Sequence, residues 1–239
     1  NRLVVKMNNT YLEIDNVTKK YGSKIALNNL SVKITKGHTI GLLGPNGSGK
    51  TTLIKTIMAI IKAQAGTIKI LGHNAGFETR KFLSFMPDKE FLYDTMNVTE
   101  AIKYYEELFR DFDSEKAQTL CEKLAIPTEA KIIELSKGNL EKVFLMLTLS
   151  RQVPIYLFDE PLGSLDPLVK AEMIQVIKEE ATPNKTFIIS THLVKDTEEV
   201  LDEVIFLKDG QVIYTDSVKN ITQNGQTIEQ KYVEVFLNA

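Results

Sequence analysis

Cys121 is the only cysteine in a chain of 239 residues. That excludes an internal disulfide framework and any cysteine-rich metal site. Histidine is almost as scarce: His38, His73 and His192 lie far apart, without the close spacing of zinc-binding pairs. Long apolar runs are missing as well. Val143 to Leu149 is interrupted by Thr148, and Ile155 to Phe158 is shorter still. A membrane span needs ~20 apolar residues, so the chain is not expected to cross a bilayer. No secretory leader pattern precedes the first strand, and reducing cytosol is the expected compartment. Met7 reads as the natural start, so Asn1 to Lys6 carry no weight. Charge is balanced too. Lys and Arg total 29, Asp and Glu 31, for a net of −2, which argues against a nucleic-acid binder acting through a broad cationic face. There is no repeat of fixed period and no low-complexity linker. The length suits one large domain or two merged subdomains.

What is present alternates between strand and helix patterns. Tyr11 to Ile14, Leu30 to Ile34 and Thr67 to Leu71 read as strands of a small antiparallel layer, punctuated by Gly22 and Gly37. Thr39 to Leu43 is a short apolar strand. A glycine-rich turn follows it, then a helix expected from about Lys50 to Lys62, with Leu53, Ile54, Ile57, Met58 and Ile61 on its buried face. From about Val98 to Ser150 the pattern is mostly helical. Its acidic run of Glu106, Glu107, Asp111, Asp113 and Glu115 reads as a solvated helix face. Strands return at Ile155 to Phe158, Thr186 to Ser190 and Val204 to Leu207, the first two separated by a helix over Leu168 to Glu180. Strands alternating with helices imply a parallel sheet with crossovers. The expected fold is therefore α/β: a mainly parallel sheet, an antiparallel β subdomain and a helical insertion. Residues 7–87 and 151–225 are assigned to the core with its antiparallel layer, 88–150 to the insertion and 226–239 to a C-terminal tail.

Gly44-Pro45-Asn46-Gly47-Ser48-Gly49-Lys50-Thr51 matches the full phosphate-loop pattern G-x-x-x-x-G-K-[ST], with a strand before it and a helix after. The glycines let the backbone curl so that successive N–H groups converge on phosphate oxygens, and the helix N-terminus adds partial positive charge. In that pattern Lys50 reaches the β- and γ-phosphates, Thr51 ligates Mg²⁺, and Thr52 adds a hydrogen bond to the α-phosphate. Further on, Ile155 to Phe158 ends in Asp159-Glu160. Adjacent residues at a strand end point in different directions. Asp159 can therefore hold Mg²⁺ while Glu160 acts as general base on the attacking water.

These two motifs suit many P-loop ATPases. The field narrows at Leu135-Ser136-Lys137-Gly138-Asn139, shortly before the acidic strand, which resembles the LSGGQ signature of ABC-type ATPases. Tyr21 resembles the aromatic residue that stacks on adenine, Gly163-Ser164-Leu165-Asp166 the D-loop, and His192 the switch histidine. The motifs keep the family's order from about Tyr11 to Tyr214. The resemblance is to ATP-binding subunits of ABC transporters. It implies ATP and Mg²⁺ as cofactors and a head-to-tail pair with a second copy or a related subunit. Ser136 and the backbone of Gly138 would then meet the γ-phosphate held by the other chain, Asp166 would link the two sites, and His192 would contact the γ-phosphate. Each of these residues also has a plain structural reading: a helix cap for Ser136, an N-cap before Pro167 for Asp166, a packed turn for Tyr21, a structural histidine for His192.

Two departures from the family pattern stand out. Phe85-Met86-Pro87-Asp88 aligns with the segment that normally carries Gln, so Asp88 brings a full negative charge to a place where it can ligate Mg²⁺ directly or through water. Lys137 replaces the first signature glycine and Asn139 the glutamine, a form that resembles exporter cassettes for drugs, lantibiotics and antimicrobial peptides. The expected function is ATP-driven export through a separate integral-membrane permease. The subunit would sit peripherally at the cytoplasmic face of the membrane, with Phe91, Leu92 and Tyr93 either offering part of an apolar socket or packing in the core. A compact importer subunit is one alternative. A non-transport ABC ATPase acting on ribosomes or DNA is another, disfavoured because neither a second cassette nor a long coiled coil is present. No nucleic-acid partner is expected.

Overall fold

The computed structural model describes residues 9–88 and 92–239. Met7 and Phe91 lie outside them. The described residues open with a long hairpin, β1 (Thr10–Tyr21) and β2 (Lys24–Thr35), turned at Gly22, whose φ of +57° suits glycine. β3 (Thr39–Leu43) leads into α1 (Lys50–Ile57), followed by β4 (Ala65–Ile70), the two-residue β5 (His73–Asn74) and β6 (Leu83–Met86). The insertion carries α2 (Val98–Leu108), α3 (Ser114–Lys123) and α4 (Lys137–Leu149). Then come β7 (Ile155–Asp159), α5 (Pro167–Glu180), β8 (Thr186–Thr191), the short α6 (Val194–Thr197), β9 (Glu203–Lys208), β10 (Gln211–Ser217), α7 (Val218–Gln223) and α8 (Ile228–Asn238).

The strands form an antiparallel sheet in the order β2-β1-β4-β5 and a six-stranded sheet in the order β10-β9-β3-β8-β7-β6. In the second sheet only the β9–β10 pairing is antiparallel. Its inner strands β3, β7 and β8 are buried at every residue, as expected of strands covered on both faces. Period-two alternation sends their side chains into two separate cores. Ile40, Leu42, Ile155, Leu157, Ile188 and Ile205 face α1 and the antiparallel layer. Tyr156, Phe158, Phe187, Ile189, Val204 and Phe206 face the helices of the insertion and α5.

α1 is shorter than its apolar pattern predicts. It stops at Ile57, with Ala59 in the left-handed region at φ +50°, and the Arg80 guanidinium donates to the carbonyls of Met58 and Ala59 at 3.0 and 2.8 Å. A side chain from beyond β5 thus satisfies carbonyls that a longer helix would have used internally. Leu53, Ile54 and Ile57 are buried as expected, while Met58 and Ile61 are only half-buried. The acidic run also behaves differently in part. Glu106, Glu107 and Glu115 are exposed, but both oxygens of Asp111 accept from the buried Arg151, and Asp113 caps the N-terminus of α3. Arg151 also lies 3.8 Å over the Phe109 ring. Of the socket and core readings open for Leu92 and Tyr93, Leu92 takes the core one, while Tyr93 is exposed. Residues 226–239, read as a tail, carry α8, whose Tyr232 and Phe236 pack against Phe206. Among the described residues no helix is long and apolar enough to cross a membrane.

Phe187 sits edge-on to Tyr156 and Phe158 at ring separations of 4.9 and 5.7 Å beneath the insertion. Phe187→Ala is expected to lower stability by ~3–5 kcal/mol through lost burial and the cavity left behind. Urea unfolding monitored by circular dichroism checks this, and a loss below ~1 kcal/mol would show that the aromatic cluster contributes little.

Candidate functional site

The site gathers at the C-terminal ends of the parallel strands, where open α/β sheets hold their ligands. The turn from β3 into α1 is constrained on all sides. A Cβ on Gly44 would stand 2.4 Å from the Leu207 carbonyl oxygen, and one on Gly49 2.6 Å from that of Ala26. Gly49 also has φ +112°, so no other residue fits without moving β2. Pro45 O accepts from Ser48 N at 3.1 Å, closing the loop, and Gly210 N donates to Ser48 O at 2.9 Å, tying it to the β9–β10 turn. The Ser48 hydroxyl oxygen is buried without a hydrogen-bond partner.

Lys50 opens α1 and is 5% exposed. Its ammonium donates to Gly44 O at 2.8 Å and Pro45 O at 3.3 Å, and stands 3.3 Å from Glu160 Oε1. The neighbouring Thr51 hydroxyl donates to Asp159 Oδ1 at 3.0 Å, and Ser190 Oγ donates to the same oxygen at 2.6 Å. Asp159 is 1% exposed, and its Oδ2 is buried with no hydrogen-bond partner. Burial raises the Asp159 pKa above the usual carboxylate value. The two hydroxyl hydrogen bonds oppose that rise, and the charges of Asp88 and Glu160 add to it.

Glu160 follows at φ +53°, in the left-handed region that a non-glycine residue occupies at a cost of ~1 kcal/mol. Its N–H donates to Ser190 O at 3.0 Å, and its Oε2 lies 2.9 Å from His192 Nδ1. The two adjacent carboxylates therefore serve different neighbours: Asp159 faces Thr51 and Ser190, and Glu160 lies between Lys50 and His192.

A cavity of about 300 Å³ is lined by Tyr21, Asn46, Gly47, Gly49, Lys50, Thr51, Thr52, Asp88 and Glu160, all singled out from sequence, together with Lys24 and Ala26. Tyr21 is 49% exposed, with the Lys19 ammonium 5.1 Å from its ring centroid. Ser136, Gly138 and Asp166 are not brought into this cavity. Ser136 caps α4 by accepting from Asn139 N at 3.3 Å, and Asp166 caps α5 by accepting from Leu168 N at 2.8 Å. Gly138 lies against Val169, which a Cβ would approach to 3.2 Å. Sequence reasoning missed Ser190, Lys24 and Ala26. No motif marks the last two, and Ser190 could have been found only from the register that sets it opposite Asp159.

The chain is similar to several known proteins. A family model described as ABC transporter matches residues 27–163. An uncharacterized ABC transporter ATP-binding protein of Methanocaldococcus jannaschii is 30% identical over 91% of this chain and 82% of its own length. A choline transport ATP-binding protein of Bacillus subtilis is 29% identical over 95% of the chain and 62% of its own length, and a Nod factor export ATP-binding protein of Burkholderia orbicola is 29% identical over 84% and 69%. The chain spans less than two thirds of some of the curated relatives it matches. Among solved structures, an ATP-binding subunit of an ABC transporter superposes with a TM-score of 0.85 at 24% identity, over 95% of this chain and all of that one.

Because the Asp159 pKa is raised on folding, its charge weakens the fold at neutral pH. The folded chain binds this proton more readily than the unfolded chain, so stability from this group falls as pH rises from the unfolded value through the folded one. Asp159→Asn is expected to raise the melting temperature at pH 7 in metal-free buffer, with the gain shrinking as pH drops toward 4. Calorimetric melting at the two pH values checks it, and an unchanged or lower melting temperature at pH 7 would count against the buried charge.

Proposed function

The chain belongs to the ABC transporter family as an ATP-binding subunit, and we propose that its cavity hydrolyses magnesium-bound ATP to power export through a separate membrane subunit. Membership makes it an ABC-type ATPase. The assignment of roles to residues rests on one observation above the others: Glu160 lies between Lys50 and His192, while its neighbour Asp159 is held by Thr51 and Ser190.

In this reading the adenine stacks on Tyr21, and the loop from Gly44 to Thr52 wraps the phosphates. Lys50 reaches the β- and γ-phosphates, with loop N–H groups and the start of α1 supplying the remaining positive potential. Thr51 and Asp159 would hold Mg²⁺, with Asp88 as a further oxygen donor. The donor set fits: Asp159 Oδ2 is a buried acceptor without a hydrogen-bond partner, and hydroxyl and carboxylate oxygens are the ligands a hard cation prefers. When bound, Mg²⁺ neutralises charge on the terminal phosphates. Glu160 accepts the proton of the attacking water. His192, fixed at 2.9 Å from Glu160, orients that water and contacts the γ-phosphate.

Ser136, Gly138 and Asp166 act across a head-to-tail pair. Ser136 and Asp166 are exposed caps of α4 and α5, and the N–H groups at such helix starts suit a phosphate presented by another chain. ATP closes the pair and hydrolysis reopens it. The membrane partner places the subunit at the cytoplasmic face. Tyr93, 64% exposed and edge-on to Tyr104, offers it an apolar contact. Export is favoured by the Leu135-Ser136-Lys137-Gly138-Asn139 signature. Import is the second reading, supported by the similarity to a choline transport protein.

Glu160→Gln is expected to retain ATP binding while turnover falls ~10²–10⁴-fold, the usual contribution of a positioned base. Phosphate-release kinetics alongside an ATP titration check this, and unchanged turnover would remove Glu160 as the base. Affinity capture from membranes is expected to recover an integral-membrane protein. Recovery of ribosomes without one would overturn the transport reading.

A further inference from the structure

The wall of the nucleotide cavity carries two lysines, Lys24 and Lys50, and two carboxylates, Asp88 and Glu160. Asp159 stands behind Thr51 as a third carboxylate, and both Asp88 and Glu160 interact electrostatically with it. Lys50 is already engaged with two loop carbonyls and with Glu160. The side chains around the cavity are thus not net positive. Counting Asp159 behind Thr51 and Lys19 over the Tyr21 ring, they still sum to zero, although the ligand is a polyanion. Loop N–H groups and the α1 dipole are equivalent to only about half a charge at the helix start. A ligand bearing a terminal phosphate is therefore poorly balanced unless a cation enters with it.

Glu160 has a lysine and a histidine as partners, and Asp159 has two hydroxyl donors. Asp88 is the exposed carboxylate of the three. It follows β6 on the cavity wall, where its charge adds to the other two.

We propose that Asp88 makes occupancy of the terminal-phosphate position conditional on a divalent cation, so that the metal-free chain discriminates against ATP relative to ADP. This deepens the ATP-site reading above and rests on it. With the cation, the Asp88 carboxylate is a ligand or holds a ligating water. Without it, the same carboxylate repels the γ-phosphate. The diphosphate lacks the phosphoryl group that suffers most. A neutral amide at this position would accept metal-free ATP and metal-bound ATP more evenly. The consequence is a gate on substrate form: ATP uncomplexed by metal is kept from a site where it cannot react.

The experiment is isothermal titration of ATP and of ADP into the wild-type chain, Asp88→Gln and Asp88→Asn, each in EDTA and in saturating Mg²⁺. In EDTA, both variants are expected to raise ATP affinity relative to ADP by about tenfold over wild type, the effect of removing one nearby like charge. In Mg²⁺ that gain should vanish or reverse. Equal changes for ATP and ADP, or no change in EDTA, would overturn the proposal. Lys50→Ala separates this from failure of the site itself. If wild type binds neither nucleotide in Mg²⁺, or if Lys50→Ala leaves both affinities intact, the cavity is not the nucleotide site and the proposal falls with it. Asp88 is exposed, and melting curves for both variants establish that they fold. Raising the salt concentration should compress the wild-type discrimination and leave the Asp88→Gln ratio nearly flat.

Discussion

One carboxylate oxygen, Asp159 Oδ1, accepts hydrogen bonds from Thr51 and Ser190, and the site is arranged around that joint. It ties the start of α1 to the ends of β7 and β8, so the glycine turn, the acidic pair and the histidine loop cannot shift independently. The joint forms because parallel pairing of β7 with β8 sets Asp159 opposite Ser190, and because α1 leaves β3 with Thr51 facing β7. Burial makes it costly: the charged form of Asp159 is disfavoured, and its second oxygen has no hydrogen-bond partner. A fold selected only for stability would use an amide or an apolar residue there.

The same few residues also carry backbone strain and close approaches. Glu160 accepts a left-handed backbone, and Gly44 and Gly49 are hemmed in by the carbonyls of Leu207 and Ala26. The result is a division of labour between neighbours in sequence: one carboxylate sealed among hydroxyls, the other held between a lysine and a histidine. Two buried cores on opposite faces of the parallel sheet hold these short loops in place. The insertion is fastened to the rest by charge as well as packing. Lys116 reaches Glu180 and Lys142 reaches Glu172, both on α5, and Arg151 grips Asp111.

Much of this was legible in local chemistry. The Gly44 to Thr51 turn announces itself because only glycine tolerates its backbone. The apolar strands are recognisable because both of their faces are buried. The helix over Pro167–Glu180 begins where Asp166-Pro167 says it should. Other features were not legible. The apolar run through Ile61 promised a longer α1, but Arg80, a residue distant in sequence, captures its last carbonyls. Within the acidic run Glu106, Glu107 and Glu115 are solvated as expected, but Arg151, distant in sequence, folds onto Asp111. Leu92 and Tyr93 could not be told apart from sequence, yet one is core and the other exposed.

The sequence by itself determined the alternation of strands and helices around the sheet, the glycine-rich turn between a strand and a helix, the acidic pair at the end of a buried strand and the family the chain resembles. Each of these depends on backbone conformation or burial period within a short window, and so leaves a trace in residue type and spacing. Only the tertiary structure decided that Ser190 completes the Asp159 joint, that Lys24 and Ala26 wall the cavity, and that α8 packs onto Phe206. Those facts depend on strand register and on contacts between residues far apart in the chain, which no local pattern encodes.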